Sequence, residues 1–287
     1  MRKPWPAPPI FPQLPRHPAR ICGNKSILIW ALCLVIAQSS LSPRARRGSK
    51  LLGAVLGEPA GAARHTPLRP PAARLLISSL REVTSLPIHL HTHDTSGNGI
   101  ATYMAAIECG VHIVDTALSS MAGLTSQPSM NALIAALRGH ERETKLRNHD
   151  MQPLADYWEG VREFYAPFEC GLKSSTSEVY YHEIPGGQYS NLRPQVASLG
   201  LIDRWADVRH AFAVVNRLVG DIPKVTPSSK MVGDFAIFLV QNDLLVMRGD
   251  LESSVDATKQ KVLMEAQRLD FPQSVVTYFQ GHLGQPP

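Results

Sequence analysis

The sequence predicts an α/β fold: strand–helix units with the spacing of a parallel sheet or (β/α) barrel, then a region that is mainly helix, behind a disordered N-terminus. Three observations predict it. Strand-like and helix-like apolar spacings alternate over residues 87–138. After Gly139 helical spacing dominates. The first 81 residues hold 12 of the 23 prolines, too many for helices or central strands.

At 287 residues and 44% hydrophobic, the chain can bury one sizeable core and carry a tail besides. The net charge of +5 is unevenly spread. Residues 1–81 carry 13 Lys/Arg and a single acid, Glu58, whereas residues 82–287 carry 16 Lys/Arg against 23 Asp/Glu. The basic character therefore belongs to the N-terminal stretch, and the acidic remainder offers no nucleic-acid surface. None of the four cysteines forms a CxxC pair, so no disulfide framework or zinc knuckle is readable.

Residues 1–67 read as a disordered or mispredicted extension. Within them, residues 27–37 (ILIWALCLVIA) form an apolar run of 11, short of the ~20 that a membrane span needs. A signal peptide or membrane anchor over residues 26–37 is a disfavoured alternative, and the Arg-rich, acid-poor composition also suits a mitochondrial transit peptide. Mitochondrial and cytoplasmic locations both stay open.

From about Ala72 the pattern changes. Residues 72–81 have helical spacing, and residues 87–91 (PIHLH) predict a strand running into His91-Thr92-His93-Asp94. Gly97–Gly99 makes a turn, residues 100–109 a helix stopped by Gly110, and residues 111–116 a second strand. Ser126-Gln127-Pro128 opens a helix over 129–138. Further helices are predicted at 154–165, 201–218, 229–242, 255–269 and 272–280, with Gly186-Gly187 and residues 223–227 as punctuation.

His91 and His93 are the sharpest chemical feature. Residues i and i+2 of a strand share a face, so the two imidazoles can bind one divalent metal. Strand C-termini are also where barrel active sites sit. Two polar residues at a strand end would look the same, and His89 extends the pattern. Asp94-Thr95-Ser96-Gly97 suits either support of metal ligands or ordinary turn chemistry. Asp115, ending the next strand, could face the same mouth or cap the next segment of chain. Before the helix at 229–242, Thr226, Ser228 and Ser229 offer hydroxyls at an end that favours anions, or a plain N-cap. Gly186-Gly187-Gln188-Tyr189 permits close backbone approach to a ligand.

Five segments in order, HLHTHDTSG (89–97), TSQPSM (125–130), YWEGVREFYAPFEC (157–170), EIPGGQYSNL (183–192) and KVTPSSKMVGD (224–234), resemble the carboxyltransferase domains of the pyruvate carboxylase family, from about Leu68 to Pro287. The resemblance implies that residues 68–145 are the last strands of a partial TIM (β/α) barrel. It makes residues 146–287 an all-helical funnel over its mouth. It implies a ligase whose carboxyltransferase half-reaction moves CO2 from carboxybiotin to pyruvate, giving oxaloacetate. The cofactors implied are biotin, carried on a separate domain, and a divalent metal (Mn, Zn or Mg). The implied partners are biotin carrier and biotin carboxylase domains or subunits in an oligomer. It assigns metal binding to His91 and His93, proton shuttling to Thr226, and biotin contacts to Gln188, Ser229 and Lys230. The family's other metal ligands, an Asp from the first barrel strand and a carbamylated lysine from a middle strand, have no match, and residues 51–67 do not resemble the lysine segment. Independent catalysis is therefore not expected. The alternatives are a non-catalytic remnant or interaction module, an oxaloacetate decarboxylase α-subunit-like chain, or a metal-dependent aldolase or lyase barrel.

Overall fold

The computed structural model describes residues 68–222, 224 and 227–282. The extension over residues 1–67, including the apolar run at 27–37, lies outside them, as does Thr226. No described helix is long and apolar enough to cross a membrane.

The described chain begins with α1 (Pro70–Val83), whose prolines occupy the first helical positions, where a missing N–H costs nothing. It buries Ala73 and Ile77 against α2 (Gly99–Glu108). Between them runs β1 (His89–Leu90), paired in parallel with β2 (Ile113–Val114). Ile88 and Leu90 point into the core while His89 and His91 are exposed, the alternation a strand imposes. Both strands are shorter than the five and six residues predicted. Ladder bonds such as Ile113 N–H to Ile88 C=O and Asp115 N–H to Leu90 C=O join the two to each other, and among the described residues no other strand pairs with them. α3 (Met130–Ala136) starts where predicted, with the Ser129 side chain accepting from Ala132 N–H.

The remainder is helical: α4 (Asn148–Tyr165), α5 (Val179–His182), α6 (Gly186–Ser198), α7 (Trp205–Leu218), α8 (Ser228–Gln241), α9 (Leu251–Glu265) and α10 (Gln273–Phe279). Several of them correct the sequence reading. α4 starts before Pro153 rather than after it. α6 occupies a stretch expected to be only punctuation, because its two glycines lie in the first turn and Pro194 is tolerated inside. Its buried Tyr189, Leu192 and Val196 recur at helical spacing, and their burial outweighs the proline's lost hydrogen bond. α9 begins four residues early because Asp250 caps it, accepting from Ser253 N–H at 2.8 Å.

Apolar burial falls into two clusters. One joins α1, α2 and the strands through Ile77, Leu90, Tyr103 and Val111. The other surrounds α8, whose Met231, Val232, Ala236 and Leu239 are fully buried. α8 packs on α6, α7 and α10. Burying Met231, Val232 or Leu239 is worth about 1.5–3 kcal/mol of transfer free energy each, so α8 is the helix around which this half is organised.

Candidate metal centre and the helix ends beside it

At the end of β1 the alternation that buries Leu90 and Thr92 turns His89, His91 and His93 the other way. Asp115, just past β2, joins two of them: Oδ1 lies 2.7 Å from His89 Nε2 and Oδ2 lies 2.8 Å from His91 Nδ1. Burial pushes the Asp115 carboxyl up, but the hydrogen bonds from the two histidines outweigh this and hold it below its usual range. His93 donates from Nδ1 to the Thr125 carbonyl at 2.6 Å. Burial lowers the His93 pKa, the Thr125 bond partly offsets this, and His91 lowers it further, so the ring is neutral near pH 7. The His91 and His93 rings meet edge to face, 5.2 Å apart.

Each Nδ1 is bonded, His91 to a carboxylate and His93 to a carbonyl, and these bonds fix the orientation of the two rings. This is the outer-shell arrangement by which metal-binding histidines are oriented. The donor set therefore fits a borderline divalent metal, and two imidazoles supply half of a tetrahedral set. Among the described residues no group of three His, Cys, Asp or Glu gathers to complete one.

Asp94 proves to be a turn residue. Its Oδ1 accepts from Gly99 N–H at 2.8 Å, at the start of α2. Asp115 takes the supporting role instead. Its place at the end of the next strand left that role open beside a capping one, and the contact across the two strands decides between them.

The glycine pair does permit close approach, to a side chain of the protein itself. A Cβ on Gly186 would lie 2.7 Å from His93 Nδ1 and 2.8 Å from its Cγ. The N-terminus of α6 thus forms the seat of the His93 ring. Half a turn on, Gln188 is half-buried against α8, where a Cβ on Gly233 would sit 2.6 Å from its Nε2. Ser229, in the first turn of α8, is buried. Lys230 is exposed and pairs with Asp234 at 2.8 Å. The structure therefore gathers His91 and His93 at one end of α6 and sets Gln188 beside the helix that carries Ser229 and Lys230. Beside Thr125 opens a cleft of about 270 Å³, lined by Leu124, Ser126, Tyr165, Phe168, Cys170 and Ser190 among others.

Residues 67–157 match the HMGL-like family and residues 179–287 the conserved carboxylase domain. The chain is 49% identical over 219 residues to the pyruvate carboxylase of Bacillus subtilis, covering 76% of this chain and 18% of that protein. It is 46% identical over 222 residues to the mitochondrial human pyruvate carboxylase, again covering 76% and 18%. The carboxyl transferase domain from Rhizobium etli pyruvate carboxylase superposes with a TM-score of 0.71 at 42% identity, covering 86% of this chain and 40% of that one. The same domain solved with pyruvate and biocytin gives 0.69 at 41%, covering 85% and 39%. The chain spans less than a fifth of the length of these curated relatives.

The class these features define is an HMGL-like segment joined to a conserved carboxylase domain. Within that class the chain belongs to the pyruvate carboxylase family, as part of its carboxyltransferase domain.

Proposed function

We propose that residues 68–287 supply part of a carboxyltransferase centre that moves CO2 from carboxybiotin to pyruvate, giving oxaloacetate. In this reading residues 68–145 are the last strands of the (β/α) barrel and residues 146–287 the helical region over its mouth. The observation that carries it is the His91/His93 pair with both Nδ1 atoms tied down, seated on the helix whose Gln188 meets α8.

His91 and His93 would hold a divalent metal, which as a Lewis acid stabilises developing enolate charge on the ketone oxygen. Asp115 and the Thr125 carbonyl keep the two rings aimed, and Gly186 keeps the space that His93 occupies. Thr226 passes a proton between the pyruvate methyl group and the biotin ureido group. A hydroxyl is a weak base in water, but it relays a proton when held between donor and acceptor in a dry site. Ser229 and Lys230 hydrogen-bond the ureido oxygen, and Gln188 lines its approach. The carrier and biotin carboxylase domains belong to the same proposal, as does an oligomeric enzyme in mitochondria or cytoplasm.

The test is biotin-dependent decarboxylation of oxaloacetate, followed as pyruvate release, by the chain alone and mixed with the upstream barrel strands of a relative. Loss of about 100-fold in Thr226→Ala, and of Mn(II) binding in His91→Ala, is the expected result. Turnover by wild type in neither setting, or equal turnover by Thr226→Ala, overturns the reading.

A further inference from the structure

Lys224 and Glu183 form an ion pair in the protein interior. Lys224 Nζ donates to Glu183 Oε2 at 2.9 Å, with the lysine side chain wholly buried and the glutamate 10% exposed. Asn216 Nδ2 donates to the same oxygen at 3.2 Å and to Asp221 Oδ1 at 2.6 Å. Arg217 Nη1 donates to Asp221 Oδ2 at 2.5 Å, and its Nη2 lies 4.0 Å from Glu183 Oε1. Glu183 and Asp221 both have left-handed backbones, with φ of 59° and 62°. Such conformations strain residues other than glycine and persist where surrounding contacts over-determine them. One network holds both.

Stability is a poor explanation for this network. Taking a lysine out of water costs more than a well-packed apolar residue would, and burial lowers the Lys224 pKa despite the opposing pull of Glu183. What buried pairs do supply in well-attested cases is register between elements. Here the elements are specific. Glu183 is followed by Ile184 and Pro185, then by Gly186, the seat of His93. Lys224 stands four residues before Ser228, the first residue of α8. The pair thus joins the chain entering α6 to the chain entering α8, three residues before the one helix and four before the other.

We infer that Glu183 and Lys224 are positioning residues that fix the entry of α8, and with it Ser229 and Lys230 in its first turn, relative to the histidine-bearing end of the site. The link to catalysis rests on the function proposed above, whereas the tie between the two helix entries does not.

The test uses the full chain in two variants. The double substitution Lys224→Met with Glu183→Gln removes both charges and leaves no orphan, and Asn216→Ala weakens the network while keeping the pair. The readouts are amide hydrogen exchange over residues 228–232, with α2, which carries no member of the network, as internal reference, and kcat and KM for biotin-dependent oxaloacetate decarboxylation. Exchange at the start of α8 is expected to rise about tenfold in the double variant and about threefold in Asn216→Ala, with α2 unchanged. In a chain that turns over, kcat falls about 30-fold while KM stays within about threefold, because a misplaced group loses rate rather than ground-state binding. Unchanged exchange in both variants overturns the inference, and so does an active double variant with wild-type kcat. Should the double variant not fold, Asn216→Ala decides. A wild-type chain without turnover overturns the proposed function alone, and the exchange result then decides the tie.

Discussion

Replacing Gly186 by alanine is the most discriminating perturbation of the metal centre. Alanine is the better helix former, by as much as about 1 kcal/mol in a helix interior. Nothing in the Gly186 backbone opposes it, since Gly186 is not among the residues with positive φ. Propensity alone therefore predicts stabilisation. The space predicts the reverse, because the new Cβ would lie 2.7 to 2.9 Å from Nδ1, Cγ and Cβ of His93. An ordinary contact begins near 3.4 Å, so the ring must retreat by several tenths of an ångström. It has little freedom to do so, being fixed through Nδ1 to the Thr125 carbonyl at 2.6 Å. Losing that bond costs about 0.5–1.5 kcal/mol and overpacking about 1–3 kcal/mol. Gly186→Ala should thus be destabilised by roughly 1–4 kcal/mol in urea unfolding, with Mn(II) affinity down about 10–100-fold as the ring loses its aim. Gly187→Ala is the control. Its Cβ would meet His93 Cε1 at 3.8 Å, an ordinary contact, so it should be neutral or slightly stabilised. If Gly186→Ala proves as stable as Gly187→Ala, His93 is not seated on α6 and the geometry of the site is wrong.

Asp115→Asn should leave folding nearly intact but weaken Mn(II) binding about 10–100-fold, measured by electron paramagnetic resonance, because the carboxylate that aims His91 is gone. His182 gives a pH signature. Burial, with Arg209 adding to it, lowers its pKa from 6.5 to about 4, and its Nδ1 accepts from Ile184 N–H. The folded-state pKa is depressed, so the unfolded chain takes up the proton first. The contribution is fully present above pH 6.5 and is lost as pH falls to about 4, amounting to about 3 kcal/mol across that window. Chemical unfolding at pH 7 and pH 4.5 should show the loss in wild type and a smaller one in His182→Asn, which keeps an acceptor for Ile184. Asp250→Ala removes the cap of α9 and should cost about 1 kcal/mol in the same assay, without touching metal binding.

The parts of this structure legible in the sequence were those governed by local period. α1, α2, α3, α8 and α10 fall close to their predicted spans because a buried stripe and a start or stop signal coincide there. The pairing of His91 with His93 was legible for the same reason, since alternation along a strand decides it. What escaped was set by contacts between distant residues. The Thr125 carbonyl reaches His93 from a loop and Glu183 meets Lys224 from 41 residues away, whereas Asp115 was in view at the end of its strand and only its bonds to His89 and His91 across the sheet decide its role. α6 was missed because its glycines and Pro194 are breakers by local rule, and only the packing of Tyr189, Leu192 and Val196 reverses them. The motifs that carried the family resemblance include Thr125, Glu183, Lys224 and the first turns of α6, but not Asp115.

The first turn of α6 touches both neighbours at once, with Gly186 beneath the His93 ring and Gln188 against Gly233. Two residues apart on a helix, these contacts point about 200° from each other, so the turn works as a spacer of fixed thickness with a face on each side. An inserted or deleted residue would rotate one face by about 100° relative to the other and release either the ring or α8. Length variation in this family should therefore avoid this turn, and the two halves it separates can change only in step.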